Sequence, residues 1–290
     1  MSKKKQALQL VDAPIYSYRQ AFYLSFYSSR LYIDVAKRWK GLGIIYLLLI
    51  IMLGAIPLST RIIINFNKYF DEQLILPLKK IPPLYLQNKE ISFDKPMPYL
   101  IKNSKGEVVT IIDTTGTVTN MTKAYPQLTV LITKDKLFFR PPKLELFRNS
   151  AAITEEPPYE YGLTQGSGEV FIGSEWVQTS GILKLKWLSE FLVYPMMVMF
   201  FLGLSIVLMF MLAFLGQLLA HLFFNLKLKF KQASRLLAIS VTPAMACFFI
   251  LLTANVVLPG LGIFYIALIA IYFCYSLVCL KREHAQLVHL

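Results

Sequence analysis

The sequence predicts a membrane α-helical protein: four transmembrane helices, an N-terminal interfacial amphipathic helix, and an inserted β-rich (α+β) extracytoplasmic domain. Three observations predict it. Of the 290 residues, 56% are hydrophobic and 16% charged, and the mean hydropathy is +0.52, well outside soluble composition. Three runs carry no charge, 41–60, 191–226 and 236–280, and as helices they reach or exceed the ~30 Å of a hydrocarbon core. Between the first two lies a long polar insert, 61–186, whose sixteen basic and thirteen acidic residues nearly balance.

The distribution of charge orients these spans. Net charge is +13, and it is concentrated in short segments. Residues 1–40 carry eight Lys/Arg against Asp12 and Asp34; 227–235 carries Lys227, Lys229, Lys231 and Arg235; the C-terminal stretch carries Lys281 and Arg282. Dense positive charge on short segments and balance on the long one is the positive-inside pattern, so both termini are expected in the cytoplasm. No basic stripe interleaved with stacking aromatics marks a nucleic-acid surface, and no nucleic-acid partner is expected.

In chain order, 1–40 is a basic tail followed by an aromatic-rich stretch. In that stretch Phe22, Phe26, Ile33 and Trp39 can share one face of a helix lying at the inner interface. The alternative is a helix packed on the cytoplasmic ends of the spans. Lys37, Arg38 and Lys40 hold the start of the first span, 41–60, with Trp39 as interfacial aromatic and Pro57 as its close. The run is not read as a cleavable signal, since it starts some forty residues in and lacks a small-x-small exit.

In 61–186, Ile62, Ile63, Phe66, Phe70 and Leu74 recur at helical spacing up to Pro82-Pro83. Short strands are expected at 84–86, 90–93, 99–102, 108–113, 117–120, 128–132, 136–140, 169–172 and 176–179, punctuated by turn chemistry. The second span is placed at 188–226 and the basic link at 227–235. Pro259-Gly260 then splits the last apolar run into spans at 236–258 and 261–280, leaving a cytoplasmic tail at 281–290. Gly41–Tyr46 and Gly260–Tyr265 share a short Gly-Leu-Gly-Ile phrase, which reads as coincidence in apolar sequence.

Catalytic chemistry is sparse. The histidines are His221, His284 and His289, none in a zinc-binding spacing, and Cys247, Cys274 and Cys279 lie in apolar runs as small hydrophobes. No phosphate-cradling GxxxxGK[ST] loop occurs. Gly162–Gly168 reads as a turn, and Ser167 between two glycines has no histidine in its domain to act as base. No metal or cofactor and no enzymatic activity are expected. Within the spans, Gln217, His221 and Asn255 form the candidate polar site, since polar groups there are functional hypotheses or interhelical glue. The basic and aromatic flank, Lys37, Arg38, Trp39, Lys40, Lys227, Lys229, Lys231 and Arg235, orients the protein and attracts anionic lipid headgroups.

The stretch Ser25–Ile50, with Phe26-Tyr27, Asp34-Val35-Ala36 and the Lys-Arg-Trp-Lys-Gly junction, resembles the opening of a bacterial family of unknown function. Its members are polytopic membrane proteins, some associated with maltodextrin utilisation. Leu228–Met245, a basic link entering a span with Ser240 and Pro243, resembles the same family and is also similar to Yip-type multi-span domains. The resemblance implies four spans around an extracytoplasmic insert in a bacterial inner membrane, and brings no catalytic residues. The expected function is a non-enzymatic inner-membrane scaffold or accessory protein. Its outer domain would bind a partner protein or envelope component, with membrane lipids as further partners and self-association left open. The alternative is a transporter or transport-accessory subunit passing a lipid or small solute near Gln217, His221 and Asn255.

Overall fold

The computed structural model describes residues 13–87, 90–121, 124–140, 157–162, 169–256 and 258–288. The basic tail to residue 12, the glycine turn through Ser167, and His289 lie outside them. The helices are α1 (Tyr18–Leu24), α2 (Ser29–Lys37), α3 (Ile44–Phe70), α4 (Leu76–Lys79), α5 (Gly173–Thr179), α6 (Ile182–Phe224), α7 (Phe230–Thr253) and α8 (Leu261–Val288). The strands are β1 (Leu84–Gln87), β2 (Glu90–Ser92), β3 (Tyr99–Lys102), β4 (Val108–Ile112), β5 (Val130–Ile132), β6 (Lys136–Phe139), β7 (Tyr159–Gly162) and β8 (Glu169–Phe171). The chain divides into two units, Met1–Thr60 with Tyr194–Leu290, and Arg61–Val193.

Among the described residues four helices are long and apolar enough to cross a membrane, within Ile44–Lys79, Ile182–Phe224, Phe230–Thr253 and Leu261–Gln286. Pro57 does not close the first of them, as the sequence suggests; α3 runs through it to Phe70. A proline removes one i→i−4 bond, but a backbone in an apolar medium has few other partners, so the remaining ladder holds. A wider turn, Asp71–Ile75, then leads into α4. α6 begins at Ile182, ahead of the expected span, and is unbroken for 43 residues despite Pro195.

The α1–α2 region departs most from expectation. Instead of one amphipathic helix there are two short ones, separated at Ser25–Ser28. Ser17 caps α1 reciprocally: its Oγ accepts from the Gln20 N–H at 3.4 Å, and the Gln20 side chain accepts from the Ser17 N–H at 2.9 Å. Leu31, Tyr32, Val35 and Ala36 of α2 are buried. The Tyr32 hydroxyl donates to the Ser25 carbonyl at 2.6 Å, and Asp34, 2% exposed, accepts from the Ile15 and Tyr16 N–H groups.

α2 runs beside α8, from the Tyr275 hydroxyl bond to the Tyr27 carbonyl (3.1 Å) to the Lys37–Glu283 ion pair (2.8 Å). Tyr275 and Glu283 are about 12 Å apart along a helix. The turn of the hairpin therefore lies about two helical turns inward from the charged end. The aromatics divide between the two sides of the hairpin: Tyr32 is buried, while Phe22, Tyr23, Phe26 and Tyr27 stay exposed.

Trp39 is 4% exposed, its ring packed edge-on to Tyr18 and Tyr46 at centroid distances of 4.9 and 5.7 Å. It is a core residue and not a member of an exposed aromatic belt.

The second unit is an α+β assembly of two sheets, ordered β2-β1-β8 and β3-β4-β5-β6-β7. All pairs are antiparallel except β4 with β5, which run parallel in the register Thr110↔Val130 and Ile112↔Ile132. Alternation divides the inner residues. Ile112, Val130 and Ile132 join Leu74, Leu78 and Val177 in the larger core, while Ile111, Leu131 and Phe138 face a smaller one. The segment 176–179, expected as a strand, belongs to α5, where Val177 is buried. The start of α5 packs so tightly on α4 that a Cβ on Gly173 would collide with the Leu78 carbonyl. The segment 117–120 is a loop and not a strand, for a reason that concerns the site below.

Candidate functional site

Because β4 and β5 run parallel, their C-terminal ends lie side by side at one edge of the sheet. Asp113 follows β4 and Thr133 follows β5, and the Asp113 N–H donates to the Ile132 carbonyl at 2.8 Å. Here lies a polar cavity of about 420 Å³. The two exits line it with Thr114, Thr119, Asn120 and Asp135, and β6 and β7 add Lys136 and Glu160.

Asp113 shapes this cleft through its hydrogen bonds. Its Oδ1 accepts from the Thr115 N–H at 2.8 Å and from the Thr115 hydroxyl at 2.5 Å; its Oδ2 accepts from the Val118 N–H at 2.6 Å. Burial alone raises its pKa, but the bonds from Thr115, Val118 and Gly116 together outweigh that and hold it below the ordinary aspartate value. Capture of the Val118 N–H by this carboxylate is also why 117–120 does not extend as a strand. Facing it, Lys136 pairs with Glu160 at 2.6 Å, and the Glu160 hydrogen bond and charge raise the Lys136 pKa. Hydroxyls, an amide and a paired lysine–glutamate give this surface both hydrogen-bond donors and acceptors. Among the described residues no group of three or more His, Cys, Asp or Glu is arranged to hold a metal.

The polar residues singled out within the spans do not meet. Gln217, near the end of α6, donates from Nε2 to the Leu228 carbonyl at 2.9 Å, tying down the α6–α7 loop. His221 is exposed one turn further on. Asn255 follows the opposite end of α7 in a left-handed conformation, φ 60°, with its buried Oδ1 unpartnered. The full length of α7, ~36 Å, separates the two ends.

The basic flank is also unequal in its parts. Lys37 pairs with Glu283, and Arg38 with Asp34 at 3.4 Å. Lys40, Lys227, Lys229 and Lys231 are exposed. Arg235 is not: only 9% exposed, it donates from Nη2 to the Ala36 carbonyl at 3.2 Å, at the C-terminal end of α2 where the helix dipole favours a cation. It fastens the α1–α2 hairpin to α7.

A second cavity, also about 420 Å³ but apolar, lies between α3 and α7 and is lined by Phe22, Ile50, Gly54, Pro57, Met245 and Phe249. On its wall Phe249 packs directly against the Gly54 backbone, so that a Cβ there would run into the ring.

The Asp113 cleft is nearly silent in the sequence. Its one signal was the turn-rich Asp-Thr-Thr-Gly-Thr phrase directly after a β-branched run. The model of a family described as "Protein of unknown function (DUF1189)" matches residues 20–277. Comparison with curated proteins and with solved structures gives no match.

Proposed function

This chain belongs to the DUF1189 family, and from that premise we propose that it is a non-enzymatic inner-membrane protein whose α+β unit binds a partner protein or envelope component outside the cytoplasm. The observation that carries this reading is the polar cleft at the ends of β4 and β5. A carboxylate is consumed there in shaping the rim, while threonine hydroxyls and the Asn120 amide line it. Preformed, concave and hydrogen-bonding, it suits recognition more than turnover. The charge asymmetry of the short loops supports the placement, with both termini in the cytoplasm.

Two experiments test it. A cysteine at Lys105, in the exposed β3–β4 turn of a chain otherwise free of cysteine, is expected to react with an impermeant maleimide in intact cells. Protection until the membrane is opened would overturn the extracytoplasmic placement. Co-purification of the full chain in mild detergent is expected to retain a stoichiometric partner that Asn120→Lys or Thr114→Lys releases. A partner held equally well by both variants, or none at all, would sink the reading.

A further inference from the structure

At the basic end of the first unit, the loop after α6 and the last turns of α8 enclose a cleft of about 610 Å³. Phe224, Asn225, Leu226 and Lys227 line one side of it, and Lys281, His284 and Ala285 the other. We infer that this cleft binds the phosphate of an anionic phospholipid headgroup.

Three features converge on that chemistry. First, two cations from elements distant in sequence, Lys227 and Lys281, face one cavity, with His284 one turn along α8 as a further donor. Among the described residues the lining holds no acidic side chain to neutralise them. Glu283, the nearest carboxylate in sequence, is engaged by Lys37 at 2.8 Å. The carbonyls at the end of α6 carry partial negative charge into this region. Lys281 is held near them, its Nζ 5.9 Å from the Phe224 ring centroid, and two full charges exceed one helix end.

Second, the loop is fixed. Asn225 adopts φ 58°, the Leu226 N–H donates to the Ala220 carbonyl at 3.0 Å, and Gln217 holds the Leu228 carbonyl at 2.9 Å. Lys227 is therefore presented by a bonded turn rather than a free coil, and Gln217 is its positioning residue.

Third, the last turns of α6, which lead into the cleft, carry exposed apolar surface on their other faces. Leu218, Leu219, Leu222 and Phe223 on α6 are all exposed, the last two at 66% and 72%. A free phosphate ion gains nothing from that face. A phospholipid uses both halves, its headgroup between the lysines and its chains along α6.

The test uses the full chain in nanodiscs. Native mass spectrometry after release counts phosphatidylglycerol retained against phosphatidylcholine. Expected is selective retention of phosphatidylglycerol, weakened roughly 30-fold in the double variant Lys227→Gln/Lys281→Gln, if each lysine contributes its usual share near a charged surface. A control that removes the same charge outside the cleft, Lys40→Gln/Lys231→Gln, is expected to weaken retention clearly less than the cleft variant does, because those lysines act only through the screened field of the surface. Both lysines of the cleft are exposed, so folding is expected to survive, and an unchanged melting curve in phosphatidylcholine checks it. Equal weakening by the control would show diffuse attraction and overturn the site. Millimolar inorganic phosphate that displaces the lipid from the wild-type chain would overturn the lipid assignment in favour of a free-anion site.

Discussion

The Tyr46 hydroxyl lies 2.8 Å from Thr242 Oγ1, joining α3 to α7 across 196 positions of sequence in a region where both side chains are buried. Neither group has water to fall back on. The bond therefore reports directly on how these two spans are held together.

Tyr46→Phe is expected to destabilise the folded state by about 1 kcal/mol, because Thr242 keeps a hydroxyl without its partner. Thr242→Val in that background is expected to restore part of the loss. Chemical denaturation of the four chains of this cycle in detergent measures the coupling; additive losses would show that the bond contributes nothing of its own.

Gly54→Ala is expected to cost about 1–3 kcal/mol through overpacking against Phe249. Phe249→Leu is expected to relieve it and to accept the new methyl. Thermal melting of the single and double variants distinguishes this from a general intolerance of change in α3.

Asp113 has a folded-state pKa below its ordinary value. Its contribution to stability is then fully present above the unfolded value of about 4, and is lost as pH falls through the folded value. Asp113→Asn is expected to speed hydrogen exchange at residues 108–118 at pH 7. The gap to the parent chain should close on acidification below about pH 4. A gap that is constant with pH would mean that shape, not charge, holds the rim.

Two carboxylates near the basic end are expected to differ sharply. Glu283→Gln removes a partly exposed ion pair with Lys37 and should cost less than about 1 kcal/mol. Asp34→Ala strands the Ile15 and Tyr16 N–H groups and is expected to cost about 2 kcal/mol or more. Limited proteolysis in the region ahead of α1 should rise only in the second variant.

The spans were legible because length and uncharged composition alone decide them: nothing else explains Phe191–Leu226 or the run into Leu280. Local punctuation was less reliable. Pro57 reads as a stop, yet an apolar surrounding leaves the helix no better continuation. The segment 176–179 alternates like a strand, but burial of Val177 against the larger core makes it a helix. Trp39 and Arg235 both looked like membrane-surface residues. Their burial comes from the α1–α2 hairpin folding back beside them, a tertiary event that no spacing announces. The Asp113 cleft was hidden for the same reason, since it depends on β4 and β5 lying parallel across an intervening 113–129 segment.

The unbroken length of α6 has a consequence for where this protein can reside. At 43 residues it is ~65 Å long, about twice the thickness of a hydrocarbon core. Its stretch from 191 to 224 contains no Lys, Arg, Asp or Glu to mark a fixed water boundary. Such a helix meets no abrupt penalty when the surrounding bilayer thickens or thins by a few ångströms. Depth is registered instead by the collar of Lys37, Lys227 and Lys281. The same chain is thereby suited to membranes of differing lipid length, with one face anchored and the other free to adjust.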